Sequence, residues 1–295
     1  MTFYLHYLVL APLCLLALLA VTLPTREPHR VLGRALAELI RPHGRIILGL
    51  YLFVVIGNLI EALLDDELTA ALGYELTGFV FSIEGESVAK VQDAILGLPG
   101  GSAWIWILCI VYTAGYVTWL LYPPVALSAI GKPRAAGTYA LAFALNYVLA
   151  LPFYLFAPVK EVAWSGISRA RPLLEENFPG ITPHLRLESA LDNCFPSLHV
   201  SIAFSSLVLV HLHGTRRMRM AAWPLTLGIT LSVMALGIHW VADTVAGVPF
   251  GIACAFLAMR IMRGWKPEPD AAEGSTTSAV RADGDRATAG DRANR

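Results

Sequence analysis

The sequence predicts an all-α protein, a polytopic membrane helix bundle of about seven transmembrane helices. Three observations predict it. First, 56% of the 295 residues are hydrophobic and only 15% are charged, against about 25% charged in soluble domains. Second, apolar runs near the ~20 residues that a bilayer crossing needs recur along the chain. Third, basic and acidic connections alternate between those runs, the pattern of the positive-inside rule. The formal net charge is zero. That balance gives no electrostatic case for a nucleic-acid partner.

The first run is residues 3–23, with no formal charge before Arg26. A cleaved signal peptide is the rival reading, but it calls for a basic start that residues 1–6 lack. The run therefore reads as a retained helix; cleaved, it would leave six spans. Residues 24–45 form a basic connection with Arg26, Arg30, Arg34, Arg41 and Arg45. The second span is about 46–64, with Asn58 and Glu61 in its outer turns. Glu61 reads as snorkelling or facing the bundle interior. Residues 65–101 are acidic, and Val88, Val91 and Ile95 fall at helical spacing. They make either a helix on the membrane surface or an ordinary solvated one.

The third span covers about 103–122 and should end at Pro123-Pro124. Tyr112, Tyr116 and Trp119 in it read as packing and interfacial aromatics. The basic loop through Lys132 and Arg134 leads to a fourth span, about 138–157. Residues 158–196 make a long polar connection. The fifth span is about 197–213, the sixth 221–241 and the seventh 243–262, the last rich in small residues for close packing. Four basic stretches, 24–45, 131–137, 214–219 and 260–266, then share one side. The long connection and the polar residues at the span ends share the other. The tail, 263–295, is rich in Ala, Gly, Thr, Asp and Arg and reads as a disordered cytoplasmic segment. The domain reading is thus 1–44, a first helix and basic loop; 45–262, the catalytic membrane domain; and 263–295, the tail.

Ionisable residues at membrane depth are functional candidates by default. Cys194-Phe195-Pro196-Ser197-Leu198-His199 puts a histidine at the start of an apolar helix. Forty residues on, His239 and Asp243 stand four apart, on one helical face. The carboxylate can fix the imidazole tautomer and leave the other nitrogen to attack. His199, from another helix, can protonate a leaving oxygen. Ser197 and the helix start offer donors to an anion. Arg171, Arg169 and Lys160 in the preceding connection are candidate phosphate clamps. The set suits phosphoryl transfer and suits a metal less well. Cys14, Cys109 and Cys254 lie in apolar runs, and no cysteine spacing suggests zinc. Cys194 reads as a packing neighbour, Trp240 as an interface anchor, and His6, His211 and His213 as interfacial residues.

Pro196-Ser197-Leu198-His199 followed by His239-x3-Asp243 resembles the second and third motifs of the type 2 phosphatidic acid phosphatase superfamily. The Phe-Pro-Ser-Leu-His form is similar to the branch of fungal inositol phosphorylceramide synthases and their prokaryotic relatives. Residues 154–164, and Ile83-Glu84-Gly85 with Gln92, resemble segments of that branch too. The resemblance covers roughly 45–262. It implies that His239 attacks phosphorus to form a phosphohistidine, that Asp243 orients it, and that His199 protonates the departing alcohol. It implies no cofactor and no metal. The substrate would be a membrane lipid, with a polyol, a lipid alcohol or water as acceptor, making the protein a phosphotransferase or a hydrolase. The site would face the extracytoplasmic side of the cell membrane. Three departures stand out. Ser232-Val233 replaces a Ser-Arg pair, Leu198 stands where phosphatases have glycine, and Lys160 lies eleven residues before Arg171 rather than seven.

Overall fold

The computed structural model describes residues 9–23, 33, 42–183 and 191–264. The chain forms two units, Met1–Met262 and Arg263–Arg295. Of the second, the described residues are Arg263 and Gly264, so the expected tail lies almost wholly outside them. Most of the expected basic loop 24–45 also lies outside.

The first unit is helical, and among its described residues a single bridge, Val159 with Asn193, stands in for a sheet. The helices are α1 (Ala11–Thr22), α2 (Pro42–Leu72), α3 (Thr77–Glu84), α4 (Ser87–Leu96), α5 (Gly101–Ala129), α6 (Pro133–Phe156), α7 (Leu173–Asn177), α8 (Leu198–His213), α9 (Arg216–Ala235) and α10 (Val241–Met262). Five are long and apolar enough to cross a membrane: α2 over Gly44–Glu61, α5, α6, α9 and α10. Two more, α1 and α8, are apolar but shorter. At 16 residues, α8 reaches about 24 Å, short of the ~30 Å hydrocarbon core. Large apolar side chains such as Leu52, Leu59, Trp106 and Phe256 are exposed on these helices. In a chain of this composition such a surface faces lipid.

Several boundaries differ from the expected ones, each for a physical reason. Helix α2 runs on through Asp65, Asp66 and Glu67 to Leu72, because acidic residues stop a membrane span but not a helix. Helix α5 passes straight through Pro123 and Pro124. A proline at 124 deprives the Leu120 carbonyl of its helical donor. Tyr51 and Tyr139 both donate their hydroxyls to that oxygen, at 2.8 and 3.0 Å. Neighbouring helices thus satisfy the freed group, as lipid could not. Helix α9 stops at Ala235, six residues earlier than expected, so His239 lies in the turn before α10 rather than on a span.

Helix α1 belongs to the bundle. Thr118 Oγ1 donates to the Ala11 carbonyl at 3.1 Å, and Tyr122 OH to Thr22 Oγ1 at 2.7 Å. At one end of the unit Lys132 Nζ donates to the His213 carbonyl at 2.7 Å, and Arg134 donates to the Met262 carbonyl. Three of the expected basic stretches therefore meet there. His199 is at the opposite end of α8.

Helices α8 and α10 meet backbone to backbone. A Cβ on Gly251 would stand 2.0 Å from the Ser201 carbonyl oxygen, and one on Gly247 2.9 Å from that of Ser197. Ser205 Oγ donates to the Gly251 carbonyl at 2.7 Å. Small residues let two backbones touch where lipid offers no hydrophobic drive. We expect Gly251→Ala to lower stability by about 1–3 kcal/mol through overpacking. Gly49→Ala, on the open face of α2 with nothing within 4 Å, should be neutral or stabilising. Thermal unfolding of both variants in detergent checks the pair.

Candidate active site

Two short turns carry the site, and the α8–α10 contact fixes one against the other. Ser197 caps α8, its Oγ accepting from Val200 N at 3.4 Å. The cap puts His199 in the first helical turn. Ser197 N donates to the Asp243 carbonyl at 3.2 Å. On the other side, Gly237 turns the chain at φ +79°. A Cβ there would meet the Arg171 carbonyl oxygen at 2.6 Å and Ala163 Cβ at 2.9 Å. Only glycine fits that conformation in that space.

His199 Nδ1 and His239 Nε2 face each other at 3.3 Å. The His239 ring points its other nitrogen away from the cavity. There Cys194 Sγ lies 3.2 Å from Nδ1, and Asp243 Oδ2 lies 3.6 Å from it. The expected carboxylate–imidazole contact is thus longer than a hydrogen bond, and the thiol is the nearer partner. Cys194, which stands beside the histidine motif and reads from sequence as a packing neighbour, touches the His239 ring. Asp243 Oδ2 instead accepts from Trp240 N at 2.9 Å. That is half of a capping box, an acidic third residue reaching back to the helix cap. Asp243 therefore holds the turn that carries His239.

Glu84 holds the same turn from outside. Its carboxylate accepts from Val241 N at 3.0 Å and from Ala242 N at 2.7 Å, the open amides of the α10 start. Burial raises the Glu84 carboxyl above its ordinary value. The two amides pull it back down, and nearby Asp243 adds to the rise. Gln92 ties the next segment in, accepting from Arg171 N at 2.8 Å while donating to the Arg171 carbonyl at 2.8 Å. Trp240 is fully buried and donates Nε1 to the Lys160 carbonyl at 2.8 Å. It is a bolt within the protein rather than an interface anchor, because its indole donor reaches backbone and not headgroups.

The histidines open on a cavity of about 450 Å³. Tyr112 stacks on the His199 ring at 5.0 Å, and Tyr116 leans on it at 4.6 Å. These aromatics were expected as packing. A π-helical turn at Val111–Gly115 contains Tyr112 and ends just before Tyr116, and such turns recur at functional sites. Glu61, Glu161 and Asn193 also line the cavity, and Asn193 Nδ2 donates to Glu61. Glu61 thus faces the interior, the second of its two expected settings. An ionisable residue inside an apolar span was the signal that pointed there.

Ser197, His199, His239 and Asp243 are brought together. The three candidate clamps are not among the residues that line the cavity. Lys160 pairs with Glu75 at 2.7 Å, Arg169 with Glu86 at 3.8 Å, and Arg171 with Glu176. Arg171 is held charged above its usual range chiefly by that Glu176 carboxylate. Among the described residues, Cys194, His239 and Asp243 offer sulfur, nitrogen and oxygen within 4.8 Å of one another, the one set that could hold a metal.

The PAP2 superfamily family model matches residues 135–267, from α6 through α10, a stretch that includes both histidines and Asp243. No curated protein and no solved structure matches the chain.

Because Glu84 fixes the turn without lining the cavity, Glu84→Gln should lower turnover about tenfold with little change in KM, as a small misplacement of a reacting group does. It should also cost about 1–2 kcal/mol of stability, the scale of charged capping bonds. Steady-state kinetics and thermal unfolding check both.

Proposed function

We propose that the protein is an integral-membrane phosphotransferase that acts on a lipid-linked phosphate or phospholipid headgroup through a phosphohistidine. The observation that carries this reading is the facing pair, His199 Nδ1 and His239 Nε2 at 3.3 Å, at the edge of a cavity within a helix bundle of membrane-spanning character. The match of residues 135–267 to the PAP2 superfamily supports the reaction class. The Phe-Pro-Ser-Leu-His motif supports the synthase-like branch within it.

In this mechanism the His199–His239 contact opens as a phosphate ester enters from the cavity, placing phosphorus at His239 Nε2 and the leaving oxygen at His199. His239 Nε2 attacks phosphorus, and the bond to the leaving oxygen breaks. His199 gives that oxygen a proton, so the first product leaves as an alcohol. Cys194 and Asp243 hold the far side of the His239 ring while it carries positive charge. His199 then takes a proton from the acceptor hydroxyl, whose oxygen attacks phosphorus and frees His239. A lipid or polyol acceptor gives a new phosphodiester or phosphomonoester. Water as acceptor gives hydrolysis in the same site. No resident metal enters any step. Arg171 remains the best clamp, since its backbone lies against Gly237, but its guanidinium must leave Glu176 to serve.

Three basic stretches gather at the end of the bundle away from His199. By the positive-inside rule that end is cytoplasmic, and the site opens on the extracytoplasmic side of the cell membrane.

The test uses purified protein in detergent, lipid phosphates and phospholipids as donors, and polyol or lipid alcohols as acceptors, without added metal. His239→Ala should lose about 10⁴-fold or more of kcat, and His199→Ala about 10²–10⁴-fold. Arg171→Ala should lose only about tenfold, because its charge is already shared with Glu176. Acid-labile label on the protein should vanish in His239→Ala. Turnover that survives that substitution would sink the nucleophile and favour a lipid carrier. Phosphate release independent of acceptor would make the protein a hydrolase.

A further inference from the structure

Behind the His239 ring three kinds of metal donor converge. Cys194 Sγ lies 3.2 Å from His239 Nδ1, and Asp243 Oδ2 lies 3.6 Å from it. One donor atom from each residue falls within 4.8 Å of the other two. The ligands of a tetrahedral zinc ion, about 2.0–2.3 Å from the metal, stand roughly 3.3–3.8 Å from one another. Small side-chain shifts therefore close the three donors on one ion. The chemistry matches the spacing. Thiolate, imidazole and carboxylate are zinc donors, and a thiolate disfavours hard cations such as Mg²⁺. A second observation is independent of the distances. Asp243 is fully buried, and while its Oδ2 accepts from Trp240 N, its Oδ1 takes no hydrogen bond among the described residues. A buried carboxylate oxygen left open is costly, and a ligated cation would satisfy it.

We infer that Cys194, His239 and Asp243 form an inhibitory site for a thiophilic divalent cation, zinc above all. The ion is a ligand that stops the reaction, not a cofactor. A neutral imidazole carries one N–H. Zinc on Nδ1 moves that proton to Nε2, and Nε2–H has no lone pair to attack phosphorus. The thiol gives its own proton to solvent and binds as thiolate. Cys194 and Asp243 are 0% exposed and His239 is 4% exposed, so the ion should enter slowly. The inhibitory effect rests on the phosphotransfer reading; the ion site rests on the donor set alone.

The test loads Co²⁺, a coloured stand-in for zinc, into the purified full chain in detergent after chelation. One equivalent should give the near-ultraviolet charge-transfer band of a cobalt thiolate, and Zn²⁺ should erase it by displacement. Cys194→Ser should lose the band while keeping Cys14, Cys109 and Cys254, the other free cysteines, as controls. It should also weaken Zn²⁺ binding about 100-fold, at the upper end of what lost metal-site partners cost. Asp243→Asn should keep the band and weaken Zn²⁺ binding about tenfold or more, which tests the site even if Cys194→Ser fails to fold. In the active protein Zn²⁺ should lower turnover more than tenfold over time. A chelator should restore it, and Mg²⁺ should leave it unchanged. No band in the native chain, a band that survives Cys194→Ser, or turnover indifferent to saturating Zn²⁺ overturns the inference. The two proposals fail separately. The band reads the ion without any turnover, so a Cys194-dependent band with no His239-dependent turnover would discard the phosphotransfer reading. His239-dependent turnover with no band would discard this one.

Discussion

The backbone contact between α8 and α10 is the constraint on which the site depends. His199 and His239 come from different turns, and nothing in either turn alone sets their separation. The separation follows from Gly247 and Gly251 lying against Ser197 and Ser201, with Ser205 Oγ and Ser197 N bonding across the seam. Two helices in contact along their backbones cannot slide without breaking those bonds. The histidine pair is therefore held by main chain, and the side chains add only direction.

A second layer of carboxylates then fixes the turn that carries His239. Asp243 caps it from within and Glu84 from a helix more than 150 residues earlier in the chain. Both bind amides at a helix start, where negative charge is favoured. The sequence motif gives Asp243 the look of a direct partner for His239. The geometry sets it 3.6 Å from the ring nitrogen, with the Cys194 sulfur the nearer neighbour at 3.2 Å.

What could be read from the chain divides along physical lines. The all-helical class and most spans were legible, since a membrane helix writes its length in hydropathy. That His199, His239 and Asp243 lie close together was legible because polar residues stand out against apolar runs. Helix ends were harder. Pro123-Pro124 looks like a stop unless one knows that Tyr51 and Tyr139 arrive from elsewhere to satisfy Leu120. Tyr112, Tyr116 and Cys194 were unreadable as site residues because the same types fill any apolar core. Lys160, Arg169 and Arg171 could be read as cations, but not with their partners. Their charge advertised a clamp, but Glu75 and Glu86, distant in sequence, pair with Lys160 and Arg169, and Glu176, five residues on, pairs with Arg171.

The approach of Gly237 to Arg171 and Ala163 also bears on how the molecule can be handled. The stretch from 158 to 172 has the composition of a free surface loop, and it invites the insertion of an epitope or a fluorophore. Its backbone is in fact stapled at Val159, Glu161 and Ala163 to the strands of chain that lead to both histidines. A label placed there would report on the reaction centre and disturb it at once. Labels that leave the centre alone belong at the far end of the bundle, near Lys132 and His213, where the connections are short and touch no part of the cavity.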